Sequence, residues 1–376
     1  MWNARRLPRT ARTRPSLASR PARTRVSRRR LKGGSLSGTY HIREGGREFV
    51  RKDVSLVENR EFGFQRWYSQ LKRLQRFSVQ FPDVFPNVLG FGRDRDTAYF
   101  DIEFVENAVT AHEFVTATAD HAAIERMFRS LVKAMTRLHS VRFASSPEAI
   151  DLYIYEEVER KLALCEGNPA FDRFASFESI IFNGVELPPL SRRMAEYKRL
   201  AREHYQEKTE CFTHGNLTLE NVLYVPQDDR IVFVDPYEEN VIDSTLNEYS
   251  QILQSSNAYY EVYNIGCPRV HSNRIDHTVA RNPGLDHFNH LFLKWLAERL
   301  DASAAISVRL LEVSQFMRML PFKMEIDESK MALFYALGSY LFDRLARDVV
   351  SASHHGGLDP VIALGVNAPA FHGVSA

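Results

Sequence analysis

Two short apolar runs, 221–225 (NVLYV) and 231–234 (IVFV), flank the polar stretch 226–230 (PQDDR), and this pattern predicts a β-hairpin. Folding it brings Asn216, Asn221 and Asp235 to one end, because the first two precede or open the first strand and Asp235 closes the second. Amide and carboxylate oxygens are hard donors of the kind Mg²⁺ takes beside phosphate oxygens. The spacing therefore predicts phosphoryl-transfer chemistry. His214 and Gly215 stand immediately before Asn216 in the same segment, 211–240.

Other elements must position these side chains. Residues 33–54 read as strand, Gly/Ser loop, strand, Gly-Gly turn and strand. Small residues in that loop, Ser35, Ser37 and Gly38 among them, let a backbone close over phosphates, whose charge its N–H groups meet. Lys52 falls on the third strand. Leu56, Phe64, Trp67, Leu71 and Leu74 recur at helical spacing over 56–77, and 87–92 and 97–105 predict two further strands. Beyond them the chain reads as mainly helical, with helices over 120–140, 151–166, 190–208, 245–264, 286–300, 303–320 and 328–350. The stretch 169–189 reads as irregular, and a fraying tail is expected after Ala352.

The run His214-Gly215-Asn216-Leu217-Thr218-Leu219-Glu220-Asn221, followed after the hairpin by Val234-Asp235-Pro236, resembles the catalytic region of one family. That family is the aminoglycoside phosphotransferase and choline kinase-like branch of the protein-kinase-like fold, which carries H-G-D-x-x-x-x-N and then an Asp. The resemblance is carried chiefly by 211–240, extends over 33–105 and thins elsewhere. It implies an α+β, two-lobed fold: a small antiparallel-sheet N-lobe at 33–106 and a mainly helical C-lobe at 107–376. It also implies ATP and Mg²⁺ as cofactors. Ser35, Ser37, Gly38 and Lys52 would then hold phosphates, and Glu61, with Glu58 as second choice, would hold the lysine. Backbone groups at Glu103 and Val105 would meet the adenine edge, while Asn221 and Asp235 would hold the metal. His214 would brace the catalytic loop.

The catalytic position departs from the family, since Asn216 stands where the others have Asp. An amide can hydrogen-bond an acceptor hydroxyl but cannot carry its proton away at neutral pH. The expectation is an ATP/Mg²⁺-dependent small-molecule kinase acting on a hydroxyl of a small metabolite and weakened or inactivated at Asn216. Similar bacterial phosphotransferases accompany cell-surface polysaccharide or sugar pathways. Asn216 is equally compatible with an acceptor that arrives deprotonated and with a deliberately inactivated variant. The alternative of another class is a pseudokinase, a non-catalytic nucleotide- or partner-binding module.

Composition sets outer bounds. Apolar residues at 44% and charged residues at 26% are those of an ordinary soluble protein. No apolar run approaches the roughly 18 residues of a membrane span, and three scattered cysteines without metal-type spacing suit a reducing compartment. A cytoplasmic protein is expected. The overall charge of +2 hides a basic segment: residues 1–32 hold eleven Arg and one Lys with no acid, leaving the rest at about −10. Dense like charge without apolar periodicity predicts a disordered tail. A nucleic-acid-binding role or an organellar presequence would rest on that tail alone.

Overall fold

The computed structural model describes residues 26–31, 38–57, 60–237, 240–354 and 359–365, with backbone only at 60–62 and 351–354. Five strands, β1 (Ser27–Arg30), β2 (Gly38–Glu44), β3 (Arg47–Ser55), β4 (Val88–Arg93) and β5 (Thr97–Glu103), form one antiparallel sheet. Its order is β1-β2-β3-β5-β4. The turn between β2 and β3 falls at Gly45-Gly46, both with positive φ (58° and 77°), a conformation that a residue with a Cβ adopts only at a cost. Helix α1 (Arg60–Gln80) connects β3 to β4 and packs on the sheet through Trp67, Leu71 and Leu74.

Strand β1 corrects the sequence reading, which placed 27–30 inside a disordered tail. Arg28 donates from Nη2 to Asp53 Oδ2 at 2.8 Å, and its guanidinium lies 3.6 Å from the centre of the Tyr40 ring. One of the like charges of the segment thus finds a carboxylate and an aromatic face across the sheet. Composition read along the chain could not register partners 12 and 25 positions away.

The remainder is helical around Ala302–Met317, whose residues from Ala305 onward are buried against Thr245–Ser256 and Glu328–His354. The stretch 169–189 is not irregular as expected. It forms helix Pro169–Ser176 and a hairpin of Ile180–Phe182 with Val185–Leu187. Asn183 and Gly184 turn that hairpin with φ of 49° and 84°, and an Asn-Gly pair between apolar residues is a strong two-residue hairpin signal. The strands are only three residues long and gain support from distant Arg274–Asp276, which pairs parallel to Ile180–Phe182. Antiparallel-sheet N-lobe and helical C-lobe together make the α+β, kinase-like architecture. Among the described residues no helix is long and apolar enough to cross a membrane.

Candidate active site

The hairpin of the central motif consists of Val222–Val225 and Arg230–Phe233, paired so that Val222 faces Phe233. Val222, Tyr224, Ile231 and Phe233 are buried, which fixes its register in the core. The preceding loop is held from inside by His214, which is fully buried. Its Nε2–H donates to the Val234 carbonyl at 2.9 Å, and its Nδ1 accepts the Asn216 N–H at 3.3 Å. Acceptance at Nδ1 requires the neutral ring. Burial pushes the imidazole down to about 4, against the opposing pull of Glu248 and the Val234 carbonyl. His214 therefore spans loop and hairpin and stays uncharged near neutral pH.

The loop backbone is satisfied by one polar face of the helix Thr245–Ser256. Glu248 accepts the His214 N–H and also the Nε2–H of His139. Gln251 accepts from the Leu217 N–H at 2.7 Å and donates to the Gly215 carbonyl at 2.8 Å, while Ser255 accepts from the Leu219 N–H at 3.0 Å. Positions 248, 251 and 255 share a face by helical geometry. All three are buried, so a loop that runs through the interior leaves few backbone groups unpaired. The sequence reading assigned these residues no role. The signal was present: polar residues spaced three and four apart on a helix that must bury every face.

Across the cleft, Lys52 on β3 forms an ion pair with Asp235. Asp235 has φ of 60°, the left-handed region that a non-glycine residue enters only when its surroundings hold it there. Gln70 of α1 donates from Nε2 to Asp235 Oδ1 at 2.6 Å and to the Pro236 carbonyl at 2.8 Å. Burial would raise the Asp235 carboxyl. The Lys52 ammonium and the hydrogen bonds from Lys52 and Gln70 outweigh it and hold the group below the usual carboxylate range. Asn221 donates from Nδ2 to the Asn216 carbonyl at 2.8 Å and to Thr218 Oγ1 at 3.3 Å.

Helix α1 meets this segment along one face, through Gln70, Arg73 and Phe77. Arg73 Nη2 donates to the Thr213 carbonyl at 2.6 Å and to Asp243 Oδ1 at 3.0 Å. The Phe77 ring sits 4.9 Å from Phe85 and 5.9 Å from Phe212, and Phe85 in turn stacks over His214. Asp243 also accepts from Thr213 and Asn240. Ser244 caps the helix that follows, accepting from the Leu246 N–H.

Of the residues singled out from sequence, Ser35, Ser37 and Glu58 lie outside the described residues, and so does the side chain of Glu61, whose backbone opens α1. Gly38 begins β2 opposite Asp53, where an added Cβ would sit 2.5 Å from Asp53 Oδ1. Glu103 ends β5 with its N–H committed to the Asn87 carbonyl at 2.9 Å, so any adenine donor would come from later residues, Val105 among them. Lys52, Asn216, Asn221 and Asp235 come together. Gln70 joins them unforeseen, because a search of α1 for an acid passes over an amide.

The donor set fits a hard divalent cation. Asp235 keeps Oδ2 and Asn221 keeps Oδ1 after the bonds above, one carboxylate and one amide oxygen on the same hairpin.

A sheet lobe carrying Lys52 over a helical lobe carrying Asp235 defines a kinase-like phosphotransferase. Residues 27–238, more than half of the chain, match the phosphotransferase enzyme family APH, and the chain belongs to that family of small-molecule phosphotransferases. Among solved structures it is similar to a putative fructosamine-3-kinase from Haemophilus somnus 129PT, at 11% identity, TM-score 0.53, over 85% of this chain and 91% of that one. It is also similar to a mutant aminoglycoside 2′-phosphotransferase-IIIa in its GDP complex, at 14% identity, TM-score 0.54, over 86% and 93% of the two chains. At these identities the likeness is one of fold. No curated protein matches the chain.

Proposed function

We propose that this protein binds ATP with Mg²⁺ and transfers the terminal phosphoryl group to a hydroxyl of a small metabolite, slowly, because Asn216 replaces the proton acceptor. The observation that carries the reading is the meeting of Lys52, Asp235 and the Asn216–Asn221 pair at one place. Asp235 and Asn221 would hold the cation, which when bound neutralises phosphate charge. The Lys52 ammonium would bind nucleotide phosphate oxygens, and the Asn216 side chain would orient the acceptor hydroxyl. Positioning and charge neutralisation carry most of phosphoryl transfer, while general-base help is worth about 10²–10⁴-fold. The arrangement thus supports residual turnover.

A second reading, a nucleotide- or partner-binding module without turnover, is favoured by the same Asn216. The two separate by assay. ATP consumption and ³¹P transfer are followed against sugars, amino alcohols and aminoglycosides, sugars first in view of the pathway expectation. In parallel, ATP and Mg²⁺ are tested for a rise in Tm by mass action on the folded state. A Tm shift with transfer supports the kinase, and a shift without transfer to any acceptor supports the binding module. An unmoved melting curve at millimolar nucleotide sinks the kinase and the nucleotide-binding module and leaves a partner-binding module alone.

A further inference from the structure

We propose that Gln70 is a positioning residue for Asp235, holding its carboxylate in place for a divalent cation when nucleotide phosphate draws Lys52 away. The inference rests on the metal–nucleotide reading of the cleft.

Among the described residues, Lys52 and Asp235 serve as each other's counter-charge. A polyphosphate carries more negative charge than one carboxylate and competes for the same ammonium. When Lys52 turns to it, Asp235 loses its strongest partner while still in a left-handed conformation, φ 60°. Gln70 remains. Its single NH₂ group has two protons and uses them on both sides of one peptide, Asp235 Oδ1 at 2.6 Å and the Pro236 carbonyl at 2.8 Å. The residue is 6% exposed, so water competes weakly for those bonds. A carboxylate at position 70 has no proton to donate and would face two acceptors. The site needs a double donor, and glutamine supplies one of the right length.

Gln70 is itself held. Arg73 and Phe77, three and seven positions further along the same helical face, anchor α1 to Thr213, Asp243 and Phe212. The amide thus transmits the position of α1 to Asp235, leaving Oδ2 turned to other duty. Groups that orient a metal ligand in this way typically contribute 10- to 100-fold in metal affinity.

The test compares wild type with Gln70→Met, which keeps length without a donor, and Gln70→Ala. ATP affinity is measured by calorimetry with and without Mg²⁺ at neutral pH, and urea titration of the nucleotide-free proteins verifies folding. The expected result is Mg²⁺-free affinity within about threefold of wild type and a roughly tenfold loss of the Mg²⁺-dependent gain. A gain retained in both variants would overturn the role of Gln70 alone. Equal losses with and without Mg²⁺ would reduce it to a packing role and overturn the inference too. A wild-type chain with no Mg²⁺-dependent gain would instead overturn the metal–nucleotide reading beneath it.

Discussion

The side-chain nitrogen of Asn221 lies 2.8 Å from the backbone carbonyl oxygen of Asn216. Only a donor is stable there, since an amide oxygen turned to the same carbonyl would meet like partial charge. The contact therefore decides which end of the Asn221 amide is spent on the loop and which remains for a ligand. Asn221→Ala removes both the tether and the oxygen. We expect it to abolish the Mg²⁺-dependent part of the nucleotide-induced Tm rise and to leave the Mg²⁺-free part nearly intact. An undiminished Mg²⁺ effect in differential scanning fluorimetry would refute the assignment.

Asn216→Asp restores a proton acceptor with little change in side-chain size. Turnover should rise on the order of 10²-fold or more, with ATP affinity little altered. The comparison is kcat and KM on any acceptor that wild type phosphorylates, or on ligand recovered from the purified protein. Equal, negligible rates for both variants would favour the binding module.

Acid should destabilise the protein through His214. Its folded-state value of about 4 lies below its unfolded one, near 6.5, so falling pH protonates the unfolded chain first. Stability is then lost between about pH 6.5 and 4, at up to about 1.4 kcal/mol per pH unit, and levels off below. Asp235, held low in the folded state, adds a further loss only at still lower pH. The His214 share appears as the difference between wild-type and His214→Gln urea curves across pH, and a flat difference would contradict it.

Gly215 has φ of 78°, and a Cβ there would fall 2.0 Å from Asn240 Oδ1. Gly215→Ala should cost more than about 1 kcal/mol, because strain at positive φ adds to the displaced Asn240. Gly90 offers the contrast: an added Cβ there meets nothing within 4 Å. Gly90→Ala on β4 should stay within about 0.5 kcal/mol of wild type. Equal costs in chemical denaturation would dissolve the distinction.

Removing residues through Leu31 deletes β1 and bares the edge of β2. A Tm loss of a few degrees is expected, whereas Asp53→Asn, which only weakens the exposed pair with Arg28, should cost under about 1 kcal/mol. An unchanged Tm after the deletion would mean that β1 contributes nothing to the sheet.

The sequence by itself determined the parts whose information is local. Alternating apolar residues and turn formers fix the hairpin after Asn221, and the 3.6-residue repeat fixes α1. The spacing of His214, Asn216, Asn221 and Asp235 was enough to predict that they lie at one end of the hairpin, because a hairpin of known length returns its two ends to one place. Lys52 was legible as a cation on a strand. What only the tertiary structure decided are contacts between positions far apart in the chain. Gln70 reaches Asp235 across 165 positions, Glu248 reaches His214 across 34, and Arg28 reaches Asp53 across 25. Each of these is a polar residue whose meaning depends on its partner. Arg28 remains an exposed group that ties two strands together, whereas Gln70 and Glu248, buried beside a carboxylate and a backbone N–H, hold the site. Hydrophobic periodicity reports which face of an element is inward. It carries no record of which donor meets which acceptor, and that pairing is set only when elements distant in the chain pack against one another.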